Sequence, residues 1–375
     1  MGTVTWPHAT LDLLCYDAFQ AFGFTDRESR IITDVLIMSD LYGIQSHGMQ
    51  RLVRYHKGIE KGMINTRVQP EVVFETPVSA VVDGHDGMGQ LIGYFSMEIA
   101  IKKAKENGIG IITARNSNHY GIAGYYAKRA CSTGLIGFSF TNSEAIMVPT
   151  FGRLAMLGSN PIACAMPAEP NDFLFDTSTT VVTRGKLEMY NKMRKPLPEG
   201  WALDHNGKPT SDAPDVLKNI IAKNGGGIMP LGGSTEGLGG HKGYGFGMLC
   251  EIFTSILSLG MTSNHTMQGT KGGICHGFIA INPEIFGDSA EIKVHLSTFL
   301  QELRDSPRAE GQPRIYTHGD KEVAAMAERM KAGIPVDENT MAEILDMCRY
   351  LNIDFSKYFG TYLPINSQAV FKGNY

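Results

Sequence analysis

Apolar residues recur at helical spacing over residues 8–63, the period that puts positions i, i+3, i+4 and i+7 on one face. The run ATLDLLCYDAFQAFG ends at Gly23. The next, TDRESRIITDVLIMSDLYG, opens with Thr25 as N-cap and Glu28 three residues on, the spacing of a capping box. It carries Ile32, Val35, Leu36, Met38 and Leu41, stops at Ser46-His47-Gly48 and resumes with Arg51. Residues 70–84 (PEVVFETPVSAVVDG) turn β-like, with Val-rich pairs bounded by Pro and Gly. QLIGYFSMEIAIKKAKENG reads as a helix closing at Gly108. IGIITARNS and LIGFSFTNS read as strands that each run into a polar turn, with the short helix GIAGYYAKRACSTG between them.

From Met147 to Met166 the chain is rich in Pro, Gly and Asn, with short strand-like pieces. DFLFDTSTTVVTRGKLEMYNKMRK reads as strand, turn and helix, and Asn206-Gly207 marks a loop or small hairpin. NGGGIMPLGGSTEGLGGHKGYGFG is the glycine-richest stretch; FGMLCEIFTSILSLG after it reads as a strongly apolar helix and HGFIAINPEIFG as a strand. Residues 290–305 and 320–333 return to helical spacing, and the last twenty have no clear period. The pattern holds no internal repeat. It predicts an α/β chain: a central α/β domain over residues 76–289, and a discontinuous helical domain from residues 1–75 plus 290–375.

Composition narrows this picture. The chain has 375 residues, 43% hydrophobic and 19% charged, enough for two domains with a sizeable core. The net charge of −4 comes without a basic tail or Lys/Arg block, which argues against nucleic acid as a partner. The six cysteines are far apart and lack a CxxC pair, as expected of buried thiols in a reducing compartment. Neither a secretory leader nor an 18-residue apolar span is visible, so the expected location is cytoplasmic, with no membrane partner.

Five segments could carry chemistry. A helical restart at Gly48 puts His47 and Arg51 four residues apart, roughly on one face. A histidine there can pass a proton to a developing alkoxide, Arg offers a planar fork for a carboxylate, and Ser46 can orient the imidazole. Spacing alone does not separate this from a helix-end histidine beside a surface arginine. Asn116-Ser117-Asn118-His119 follows a predicted strand and precedes a helix, a usual position for site residues. Ser143 at a strand end, Pro149 and Asn160-Pro161 give a rigid, polar loop set. Asp176 is followed by hydroxyls at Thr177, Ser178, Thr179 and Thr180, which at a helix start suit phosphate. GGHKGYG (239–245) brings glycines and Lys242 to the opening of the apolar helix. No GxGxxG opens a helix, and HExxH, clustered Cys/His and GxSxG are absent, so neither a Rossmann fold nor a metal site is expected.

Taken together and in order, DLYGIQSHGMQRL, GIGIITARNSNHYGIAGYYA, FTNSEAIMVP, LGSNPIACAMP, FDTSTTVVTRGK, PEGWALDHNGKPTSD and PLGGSTEGLGGHKGYGFGML resemble the type-2 malate/L-lactate dehydrogenases over about residues 8–340. The resemblance implies a non-Rossmann cofactor domain on a largely antiparallel or mixed sheet, a homodimer, and NAD or NADP as cofactor. It implies that His47 donates and accepts the proton, that His119 is a second active-site histidine, and that Arg51 anchors a carboxylate. It sets the cofactor near Ser143, Asp176, Thr177, Ser178, His241 and Lys242, with a late contact near Gly319. There the family's Pro-Gly-Glu is His318-Gly319-Asp320 in this chain, and Ser159 and Glu144 stand where the family commonly has Thr and Pro.

The expected activity is hydride transfer between a nicotinamide and a 2-hydroxy/2-oxo acid, with malate/oxaloacetate first. The alternatives are lactate, sulfolactate, ureidoglycolate, diketogulonate or a cyclic imine, or a non-catalytic nucleotide-binding protein.

Overall fold

The computed structural model describes residues 2–365. In chain order, the first elements are β1 (Thr3–Trp6), α1 (His8–Ala21), α2 (Asp26–Leu41) and α3 (Leu52–Glu60). Then come β2 (Glu71–Glu75), β3 (Ser79–Asp83), α4 (Gly89–Asn107), β4 (Ile109–Ser117), α5 (Ala123–Cys131), β5 (Ile136–Thr141), β6 (Ile162–Met166) and β7 (Phe173–Thr177). They are followed by α6 (Arg184–Lys192), β8 (Ala202–Leu203), β9 (Pro209–Thr210), α7 (Ala213–Ala222), β10 (Gly227–Ile228), α8 (Gly240–Glu251), β11 (Ile274–Ile281) and α9 (Ser289–Asp305). The last are α10 (Asp320–Ala332), β12 (Ile334–Asp337), α11 (Glu338–Tyr350) and α12 (Ser356–Phe359). The chain divides into two compact units: residues up to Arg67 with those from Leu300 on, and Val68–Phe299. No helix of the described residues is long and apolar enough to cross a membrane.

The first unit is mostly helical. Thr25 and Glu28 close both arms of the capping box that starts α2, which satisfies N–H groups otherwise orphaned at a helix start. The apolar faces of α1, α2 and α3 supply a core of Leu11, Leu14, Phe19, Leu36, Leu52 and Tyr55, each 1% exposed or less. β1 pairs antiparallel with β12, from Thr3 opposite Asp337 to Trp6 opposite Ile334.

The second unit is built on a seven-stranded sheet in the order β2-β3-β4-β11-β5-β6-β7. Only β3 and β4 run parallel, joined through α4; the other neighbours are antiparallel. This mixed sheet differs from the all-parallel, doubly wound Rossmann order. A smaller three-stranded sheet, β10-β8-β9, packs with α6 and α7 around Leu187, Leu197, Val216 and Ile228. Its β8–β9 hairpin turns at Asn206-Gly207, where Gly207 has φ +81°.

Two local expectations need correction. The hydroxyl run 177–180 does not open a helix: Thr180 bridges to Pro230 and the Val181 N–H donates to the Met229 carbonyl, and the chain bends at Val181 and Val182 before α6 begins at Arg184. The apolar helix after Gly239 is not uniform either. α8 ends at Glu251 and passes into a wider π turn over Ile252–Ile256, a feature often found where a helix serves a site.

Candidate active site

In the first unit, the break after α2 consists of two 3-10 turns, Gln45–His47 and Met49–Arg51; the α-helix resumes only at Leu52. The cause lies in α2. Asp40 is buried, and its Oδ2 accepts the Met49 N–H at 2.8 Å. A methyl group at position 48 would overlap that carboxylate, so only glycine allows the chain to close over Asp40. The Arg329 guanidinium donates to the Asp40 carbonyl. Burial pushes the Asp40 carboxyl up to about 7, against the opposing effects of the Met49 amide and Arg329.

The turn presents the residues expected of it. Ser46 Oγ lies 2.9 Å from His47 Nδ1. The Arg51 Nε–H donates to the Ser46 carbonyl at 2.6 Å, so Ser46 ties histidine and arginine together. Desolvation of the ring, then the cations Arg51 and Arg54, push His47 down to about 3; the resting imidazole is neutral and can accept a proton. Arg54, one turn beyond Arg51 on α3, was not singled out by the sequence pattern. At the start of α10, Gly319 (φ +100°) is buried, and Asp320 is turned inward onto Arg304 at 3.0 Å and the Thr317 N–H at 2.9 Å.

In the second unit, His119 follows β4. The Gly121 N–H donates to His119 Nδ1 at 3.4 Å, so the neutral ring carries its proton on Nε2. Asn118 fixes the turn from below, its Nδ2 donating to the carbonyls of Asp86 (3.1 Å) and Gly87 (3.0 Å). Tyr120, buried, reaches the Ser139 hydroxyl on β5 at 3.0 Å.

The loops after β5, β6 and β7 come together. Ser143 Oγ accepts the Ser159 N–H at 3.1 Å, and Thr179 donates its N–H (2.9 Å) and hydroxyl (3.1 Å) to the Ser159 carbonyl. The Leu231 N–H donates to the Thr179 carbonyl at 3.0 Å, and Gly243 of α8 packs so closely on Leu231 that a methyl there would overlap it. Ser143, Thr177, Ser178 and the first turn of α8, with exposed His241 and Lys242, thus belong to one set of linked loops. Asp176 differs: its Oδ2 accepts the Gly124 N–H at 2.7 Å, bracing the start of α5, where a carboxylate is stabilised by the helix dipole. The donor set suits a dinucleotide: part-exposed hydroxyls, an ammonium and the amide end of α8 are the groups that hold phosphates.

Two buried residues organise these loops and were missed in the sequence. Glu251 accepts from Asn160 Nδ2 (3.0 Å), Ser255 Oγ (2.6 Å), the Ser263 hydroxyl and, more loosely, Asn142 Nδ2 (3.5 Å). It thereby ties α8 to the neighbours of Ser143 and Ser159. His276 on β11 bridges Ser117 and Thr141, both at 2.8 Å. The only signal for either was a polar residue inside an apolar run.

Known proteins bear on this geometry. The sequence profile of the malate/L-lactate dehydrogenases matches residues 6–345. The chain is 42% identical to a malate dehydrogenase of Pyrococcus horikoshii, over 88% of this chain and 91% of that one. It is 36% identical to an L-sulfolactate dehydrogenase of Methanocaldococcus jannaschii, over 92% and 96%. The crystal structure of malate dehydrogenase from Entamoeba histolytica superposes with a TM-score of 0.91 at 35% identity, covering 94% of this chain and 99% of that one. The shared fold, mixed sheet and near-complete coverage make this chain a member of the malate/L-lactate dehydrogenase family, a pyridine-nucleotide-dependent 2-hydroxy acid dehydrogenase.

Proposed function

We propose that the enzyme interconverts malate and oxaloacetate with NAD or NADP, using His47 as the proton-transfer residue. The observation that carries this reading is the Ser46-His47-Gly48 turn: a neutral imidazole braced by Ser46, with Arg51 tied to the same serine. When bound, the nicotinamide accepts or supplies the hydride at the substrate's C2. In the oxidative direction, neutral His47 takes the hydroxyl proton. In the reductive direction, protonated His47 returns it to the oxygen as negative charge develops. Arg51 holds the carboxylate next to C2 as a planar fork. His119, with its proton on Nε2, polarises the carbonyl oxygen. Ser143, Asp176, Thr177, Ser178, His241 and Lys242 line or brace the dinucleotide, and Gly319 takes part only through its backbone.

Malate is favoured by two relatives, 42% and 43% identical, each named a malate dehydrogenase. Sulfolactate stands next, by the M. jannaschii relative. A homodimer is supported by an exposed apolar stripe on α8 and the π turn, with Phe246, Leu249, Ile252 and Ile256 each 39–49% exposed; sedimentation measures it. The six free cysteines fit a reducing cytoplasm. The deciding experiment is a panel of 2-oxo acids and cyclic imines, each with NADH and NADPH. Oxaloacetate is expected to give the highest kcat/KM. Cofactor binding without turnover on any substrate would overturn the enzymatic reading, and preference for a cyclic imine would overturn the substrate.

A further inference from the structure

His276 lies on β11, the strand between β4 and β5, opposite Thr141 in register and beside a bulge that separates it from Ile274. It is fully buried. The Thr141 hydroxyl donates to the Asn142 carbonyl at 2.8 Å, so it accepts from His276 Nδ1 at 2.8 Å. The other ring nitrogen, Nε2, lies 2.8 Å from the Ser117 hydroxyl. A neutral imidazole, with one donor and one acceptor, fits this pair, and burial keeps it neutral by lowering its pKa to about 3. One face of the ring stacks on Tyr120 at 4.2 Å and 6°. Tyr120 in turn stacks on Tyr126 at 4.6 Å, and the Tyr126 hydroxyl donates to the Tyr120 carbonyl at 2.6 Å.

Ser117 lies two residues before His119, and Thr141 two residues before Ser143. One ring therefore spans the ends of the two strands that lead into the substrate histidine and the cofactor serine, while its face supports the residue after His119. We propose that His276 is a positioning residue, a rigid crosspiece that sets where the His119 loop stands relative to the end of β5. This rests on the reading of His119 given above. His276 takes no proton from substrate; it fixes the loop through two hydrogen bonds and a stack, and small displacements of a reacting group cost large factors in rate.

The test uses the full-length enzyme and its best substrate from the panel. His276→Phe keeps a ring against Tyr120 and removes both hydrogen bonds; His276→Gln restores one donor and one acceptor. His276→Phe is expected to lower kcat/KM by about 10- to 100-fold, and His276→Gln to recover most of it. On a His119→Ala background the same change is expected to cost less than about threefold, because the two residues act as one unit. Near-wild-type kcat/KM in His276→Phe, beside a large loss in His119→Ala, would overturn the inference and leave the function standing. So would a His276→Phe loss that multiplies in full on His119→Ala, which marks a merely structural role. Normal activity in His119→Ala itself would overturn the reading of His119, and the positioning role with it. Thermal melting of each variant checks that it is folded.

Discussion

The two histidine-bearing turns are held in different ways. His47 sits in a gap between helices, and its geometry depends on one buried carboxylate, Asp40, and on the absence of a side chain at Gly48. His119 stands at a sheet end, held by Asn118 below, Tyr120 beside and the His276 crosspiece between strands. A helix break is not part of a strand ladder that sets its register, so a few side chains must do so. A strand end inherits its position from the ladder, and side chains only refine it. Point changes should therefore damage the first turn more sharply than the second.

The largest effect is expected at His47 itself. His47→Ala should lower turnover by about 10²–10⁴ for the loss of a general acid–base group, with an unchanged melting profile; steady-state kinetics measures it. Gly48→Ala should come next. Its methyl cannot coexist with the Asp40 carboxylate, so the turn must shift, and a kcat loss of about 10² is expected together with a lower Tm.

Asp40 gives a smaller effect with a sign. Its folded pKa, about 7, lies above the ordinary 3.8, so its charge costs stability as pH rises through that window, and the cost is absent below 3.8. Asp40→Asn keeps an acceptor for the Met49 N–H without the charge. It should melt above the wild type at pH 8, the difference shrinking as pH falls to 4. Asp40→Ala leaves that N–H unsatisfied and should cost about 1–3 kcal/mol at pH 4, and less at pH 8, where the wild type carries a buried charge that alanine lacks; denaturant unfolding measures both.

The contrast between the turns also explains what could be read from the sequence. The capping box of α2, the strands that lead into His119 and Ser143, and the Asn206-Gly207 hairpin are local, written in residues a few positions apart, and the structure has them where the pattern put them. The Ser46-His47-Gly48 break was visible too, but its form was not: the restart is two 3-10 turns because Asp40, nine residues from its Met49 partner, claims the backbone. The insertion of β11 between β4 and β5 joins segments more than 130 residues apart, beyond any periodicity. His276 and Glu251 were illegible for the same reason. Inside apolar runs they read as ordinary polar exceptions, and only the distant serines, threonines and asparagines around them give them meaning. The hydroxyls at 177–180 misled because a helix start and an extended strand end both favour them; pairing with Pro230 decided it.

The central claim is that His47 moves the proton and is neutral in the free enzyme. The pH dependence of kcat/KM, which reports groups of the free enzyme, tests it most directly when measured in both directions between pH 5 and 8. With His47 pushed down to about 3, the base is available throughout, so hydroxy acid oxidation should show no acid limb. Reduction requires the protonated ring, whose fraction falls tenfold per pH unit above its pKa, so its kcat/KM should decline with unit slope and no plateau. An acid limb near 6.5 in oxidation, or pH-independent reduction, would contradict the account.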